Sequence, residues 1–242
     1  MTDKKKNDLR ERYDRNRTVI TEEDNNKLKA MTACVVGCGG LGGHIIELIA
    51  RVGVGHIICV DGDVFEASNL NRQLLSTEEN IGMSKAAAAA ERIAAVNSET
   101  EVTALKTFFD ADNGREILKG CDIVFDALDN IESRRLLAEL ASGQGIPLIH
   151  GAVAGWYGQV TVVYPGDDTF RQLFPEDINK GAEVELGNPS FTPAAVAAIE
   201  AAEGIKVLLG KGEILRGRLL TVDLLTQEHE IVELPSGTGR EK

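Results

Sequence analysis

Apolar residues in this chain come in short runs broken by glycine-rich or charged turns, and their period switches from run to run. Thr32–Val36 is a continuous apolar strand that leads directly into Gly37-Cys-Gly-Gly-Leu-Gly-Gly43. Over 44–52 the apolar positions Ile45, Ile46, Leu48, Ile49 and Val52 fall at helical spacing, and 56–61 is apolar and β-rich again. The alternation continues with a helix over 84–96, a strand over 101–105 and a short helix over 113–119. A strand over 121–126, a helix over 131–142 and a strand over 146–150 complete it. Strands alternating with helices predict an α/β fold: a Rossmann-like, doubly wound, mainly parallel sheet whose ligands sit at the carboxyl ends of the strands.

Beyond residue 157 the pattern changes. The segment 158–164 alternates with period 2, and 165–193 holds four of the six prolines and reads as a long loop. Residues 194–209 are strongly helical, while 219–224 and 230–234 predict a hairpin that extends the sheet in antiparallel fashion at its C-terminal side. The expected organisation is an N-terminal helical arm over 1–30 with Lys4 to Lys6 frayed, one domain over 31–235, and a disordered tail over 236–242.

Charge narrows the function. With 38 acidic against 26 basic side chains the net charge is −12, which disfavours a general nucleic-acid binder, since that role needs a basic surface. A nucleotide needs only a local cluster of cations. No apolar run reaches the roughly 18–20 residues that span a bilayer, and the charged first 14 residues hold no signal-peptide core, so a cytoplasmic location is expected. Cys34, Cys38, Cys59 and Cys121 stand mostly inside apolar strand-like runs with no CxxC pair and read as buried hydrophobes, with Cys59 and Cys121 poor nucleophiles.

Gly37, Gly39 and Gly42 satisfy G-x-G-x-x-G between a strand and a helix. That position needs glycine because the chain turns sharply and phosphate must approach the backbone, with the following helix N-terminus facing the anion. Asp61 ends the next strand at about the 20-residue distance expected of a ribose-binding acid. A nicotinamide cofactor would fit this much. The polar run from Asp61 to Gln73, with Arg72, and Lys85 beyond it, argues instead for a triphosphate, which is held by Arg, Lys and a divalent metal.

Taken together, Gly37-x-Gly-Gly-x-Gly42, Asp61-x-Asp63, Ser68-Asn-Leu-Asn-Arg-Gln73, Gly82-x-Ser-Lys85 and Asp126-Ala-Leu-Asp-Asn130 resemble the MoeB/ThiF/HesA family, relatives of the ubiquitin-activating enzymes. The resemblance runs in order over roughly residues 10–210. It implies an ATP-dependent adenylyltransferase that activates the C-terminal glycine of a small ubiquitin-like carrier protein ending in Gly-Gly. The glycines Gly37, Gly39, Gly40 and Gly42, with Asp61, Asp63, Asn69, Arg72, Gln73 and Lys85, would form the nucleotide site. Within it Asp61 would hold the ribose, and Asn69, Arg72 and Lys85 the phosphates. Asp129 would bind magnesium, although read from spacing alone it is equally a helix N-cap. Arg12-Tyr-Asp-Arg15 is similar to the family's Arg-Tyr-x-Arg element, which implies that Arg15 crosses to a partner subunit's triphosphate in a homodimer.

The chain also departs from that family. Thr169 and Gln172 stand where many members carry a zinc-binding cysteine pair, the second pair is missing too, and no cysteine follows Cys121. Neither a zinc site nor covalent capture of the carrier at the usual position is therefore expected. Phe170, Leu173, Phe174 and Phe191 are candidates either for gripping an extended tail or for ordinary core packing, with core packing favoured for any one of them. Alternatives on the same scaffold are activation of a small-molecule or RNA-linked carboxylate, a noncatalytic nucleotide-binding partner and, more remotely, a nicotinamide oxidoreductase.

Overall fold

The computed structural model describes residues 11–175 and 186–235. Lys4 to Lys6, the tail over 236–242 and the middle of the proline-rich stretch lie outside the described residues. Among the described residues eight strands form one sheet in the order β3-β2-β1-β4-β5-β6-β7-β8. Strands β1 (Thr32–Val36), β2 (His56–Val60), β3 (Glu101–Leu105), β4 (Ile123–Asp126) and β5 (Leu148–Ala154) pair in parallel. β6 (Tyr157–Val163), β7 (Arg218–Asp223) and β8 (Glu228–Glu233) add on antiparallel. The mainly parallel sheet with an antiparallel C-terminal extension is thus the observed fold.

The central strands are apolar along their whole length because both faces are covered. In β1, Ala33 and Val35 enter one core and Cys34 and Val36 the other. The first core receives α2 (Gly40–Val52), α3 (Lys85–Val96) and α7 (Phe191–Leu209); the second receives α4 (Gly114–Leu118), α5 (Ile131–Gly143) and α6 (Thr169–Leu173). All four cysteines are buried, and Cys121 sits just ahead of β4 rather than within it.

Three expectations need correction. The helix after the glycines begins at Gly40, not at residue 44. β5 runs on to Ala154, where it turns back to pair antiparallel with Tyr157. The proline-rich stretch is not all loop, since it contains α6. Of its aromatic residues, Phe170 and Phe174 pack edge-on against the fully buried His150 at 5.3 and 5.2 Å between ring centres. Phe191 instead remains 41% exposed beside Trp156.

The N-terminal arm is pinned at the end of the sheet away from the carboxyl ends of its parallel strands. After a short 3-10 turn (Glu11–Tyr13) and the capping box of α1 (Glu22–Lys29), the chain enters β1. Tyr13 Oη accepts from Asn97 Nδ2 at 2.9 Å, and the same amide donates to Ala50 O at 2.7 Å. Arg12 adds a hydrogen bond to Asn97 Oδ1. These contacts lie at the C-terminal ends of α2 and α3.

Candidate active site

A cavity of about 380 Å³ opens at the carboxyl ends of β1, β2 and β4. Its floor is the glycine turn. Gly37 has φ +97°, and a Cβ there would stand 2.4 Å from Ala127 O; at Gly42 a Cβ would stand 1.8 Å from Gly37 O. Helix α2 starts at Gly40 with no side chain capping its first N–H groups. Uncapped donors at a helix N-terminus, reached over a surface without Cβ atoms, make an anion cradle.

Asp61 closes the next wall. One carboxylate oxygen accepts from Cys38 N at 2.8 Å and the other from Asp63 N at 2.8 Å. Burial raises the Asp61 carboxyl above its ordinary value, and the two backbone donors work against that shift. Each oxygen keeps a lone pair for a hydroxyl donor. Phe108, 66% exposed, lies over Gly62 beside it and leaves an apolar ring at the rim.

Lys85 and Arg72 reach the cavity from separate elements. Lys85, buried at the start of α3, forms an ion pair with the more exposed Asp63 at 3.0 Å. Arg72 is held in place by Ser68 O at 3.1 Å and Asn71 Oδ1 at 2.9 Å. Gln73, 6% exposed, lies against Gly39, and its Oε1 has no hydrogen-bond partner among the described residues. Opposite them the loop after β4 carries Asp129, exposed on the cavity wall.

Gly37, Gly39, Gly40, Asp61, Asp63, Arg72, Gln73, Lys85 and Asp129 therefore meet around one cavity. Gly42 and Asn69 do not line it. Gly42 packs behind the turn, and Asn69 is a buried clasp whose Oδ1 accepts from Glu66 N at 3.0 Å. Arg15 is exposed and absent from the cavity wall. It lies two residues past Tyr13, or about 7 Å of extended chain. The 13-residue α2 separates that anchor from the cavity by roughly 20 Å.

The sequence reading missed Arg134 and Asn188. Both border the cavity, yet nothing in their local pattern separates them from a solvated charge and a loop amide. Behind the cavity stands a buried polar cluster. His150 Nδ1 meets Asp126 Oδ2 at 2.7 Å, and Arg134 Nε lies 3.9 Å from the same oxygen. Burial holds His150 below its ordinary value despite Asp126, and pushes the Glu200 carboxyl well up.

The donor set fits a nucleotide and its metal. Gln73 carries an unpartnered amide oxygen beside the glycine floor that is open to a hydroxyl donor of a bound nucleotide, and the cavity volume lies within the range of small-molecule sites. A single carboxylate such as Asp129 suits magnesium, which typically takes one or two carboxylates and completes its shell with phosphates and water.

Fold and cavity together define a Rossmann-type α/β protein with a glycine-turn anion site at the carboxyl edge of its sheet. The ThiF family pattern matches residues 13–239. SAMP-activating enzyme E1 of Haloferax volcanii is 38% identical over 216 residues, covering 88% of this chain and 80% of that protein. Sulfur carrier protein adenylyltransferase of Thermus thermophilus is 38% identical over 215 residues, covering 85% and 79%. The E. coli MccB structure solved with ATP superposes with a TM-score of 0.76 at 22% identity, covering 95% of this chain and 73% of MccB, and so shares the fold. The chain belongs to the ThiF family and is an adenylyltransferase. Among the described residues, no helix is long and apolar enough to cross a membrane.

Proposed function

We propose that the protein uses magnesium and ATP to adenylate the C-terminal glycine carboxylate of a ubiquitin-like sulfur-carrier protein. The observation that carries this reading is the meeting of the glycine turn, Asp61, Arg72, Lys85 and Asp129 around one cavity. The names of the relatives at 38% identity, a SAMP-activating enzyme and a sulfur carrier protein adenylyltransferase, support the substrate class.

In this reading Asp61 takes the ribose hydroxyls, Phe108 lies against the base, and the uncapped start of α2 receives phosphate oxygens. A carboxylate oxygen of the carrier attacks the α-phosphorus. The bond to the bridging oxygen breaks, pyrophosphate leaves, and an acyl adenylate remains. Nucleophile and electrophile are both anionic, so the barrier is dominated by repulsion and alignment, which Arg72 and Lys85 reduce. The carboxylate is already ionised near neutral pH, so no general base is needed. A magnesium ion bound by Asp129 would screen phosphate charge. The Lys85–Asp63 pair keeps the ammonium aimed before ATP arrives.

Arg15 does not line the cavity of its own chain, and we propose a homodimer in which each arm completes the partner's site. ATP–pyrophosphate exchange with a Gly-Gly-ended carrier tests the function: exchange that depends on the carrier and is lost when its last glycine is removed is expected. Exchange with no carrier present, or none with carriers of this class, would overturn it.

A further inference from the structure

Asp129 stands on a short loop whose neighbours are unusually well fixed. One residue before it, Leu128 has both backbone groups taken. Its N–H donates to Asp126 Oδ1 at 3.1 Å, and its carbonyl accepts from Arg134 Nε at 3.0 Å and also from Arg134 Nη2. One residue after it, Asn130 Oδ1 accepts from Ser133 N at 2.8 Å, and Asn130 O accepts from Arg134 N at 3.2 Å. Further back, Ala127 N is tied to Val36 O at 3.0 Å. The loop is thus held on both sides of Asp129, and three of those hydrogen bonds come from Arg134, two of them from its side chain.

Arg134 is an expensive residue in this place. Its side chain is 9% exposed, and its carboxylate neighbour Asp126 is fully buried. Desolvating both charges costs several kcal/mol per ion before their attraction is counted, and apolar residues of similar volume often replace such pairs without loss. Arg134 directs two N–H groups of its planar fork at one carbonyl, a geometry that lysine cannot reproduce. His150 Nδ1 at 2.7 Å orients Asp126, and Phe174 lies 5.8 Å beneath the guanidinium.

We propose that Arg134, oriented by Asp126, is a positioning residue that sets the place of the Asp129 carboxylate for the nucleotide-bound metal. The inference rests on the reading of Asp129 as the metal ligand. Groups that orient a ligating carboxylate without touching the ion typically account for 10–100-fold in metal affinity, and the same scale is expected here.

The test is a double-mutant cycle read by calorimetry. ATP affinity is measured with saturating Mn²⁺ and again in EDTA, and the ratio reports the metal's contribution. Arg134→Lys is expected to lower that ratio about tenfold while ATP affinity in EDTA stays within about twofold of wild type, because lysine keeps the positive charge that Arg134 places on the cavity wall and the ribose and glycine contacts are untouched. In an Asp129→Asn background, Arg134→Lys is expected to leave the ratio unchanged, since the group it positions is gone. An equal fall in both backgrounds, an unchanged ratio, or an equal loss in EDTA would each overturn the proposal. If Arg134→Lys cannot be recovered folded, Asp126→Asn goes through the same cycle with the same outcomes. Wild-type protein that fails to bind ATP at all would instead overturn the adenylation reading, so the two failures are distinguishable.

Discussion

Glu200 has 0% relative exposure on α7, and neither carboxylate oxygen has a hydrogen-bond partner among the described residues. Its carboxyl lies directly on Gly151, where a Cβ would stand 2.3 Å from Glu200 Cδ. Burial pushes its proton affinity well above the usual carboxylate range, and Asp126 reinforces the shift while Arg134 opposes it. Above the unfolded chain's ordinary value near 4.3 the folded protein therefore holds on to the Glu200 proton more tightly than the unfolded chain does. The sign follows directly. The raised folded value makes this group's contribution complete at low pH, and it drains away as pH rises above the unfolded value, until the folded group itself titrates. One proton of difference corresponds to about 1.4 kcal/mol per pH unit. Glu200→Gln removes that proton while keeping shape and polarity. Its stability relative to wild type should therefore rise by up to about 2.7 kcal/mol between pH 5.5 and 7.5. Urea unfolding at pH 5.5, 6.5 and 7.5 measures the difference directly, and every other titrating group common to the two proteins largely cancels. A stability difference that stays flat across these pH values would refute the raised proton affinity of Glu200.

The remaining expectations concern the cavity and the arm. Gly37→Ala places a Cβ at φ +97° and 2.4 Å from Ala127 O, so it should cost at least about 2 kcal/mol in urea unfolding; an unchanged midpoint would contradict the described turn. Phe108→Ala should raise the KM for ATP about tenfold with kcat little changed, the scale of one base-stacking contact; an unaltered KM would place the base elsewhere. Arg15→Ala and Lys85→Met should each cut exchange by about two orders of magnitude. Mixing the two variants should restore part of the rate, because one site of each hybrid pair then carries neither change; no recovery after subunit exchange would exclude action in trans.

Much of the architecture was readable from hydrophobic spacing, since Thr32–Val36 and Glu101–Leu105 stand where apolar runs predicted them. The early start of α2 was hidden because three of Gly40, Leu41, Gly42 and Gly43 lack a side chain to display a period, and tertiary contact put them in the helix: Gly42 packs on Gly37 and Gly43 on Leu75. The end of β5 was obscured by Gly151, whose missing Cβ makes room for Glu200. Residues marked by motif spacing, such as Asp61, Arg72 and Lys85, do meet at the cavity. Arg134 and Glu200 were invisible for the opposite reason. A charged residue on a helix reads as solvated surface, and only the approach of β4, β5 and α7 buries these two.

The anchoring of Tyr13 on Asn97, far from the cavity, bears on how rate scales with protein concentration. If every polypeptide lends its arm and borrows another, a lone molecule holds an incomplete set of cations. Turnover per molecule should then collapse on dilution, well before the fold itself is lost, and crowding this acidic chain with its own kind would switch it on.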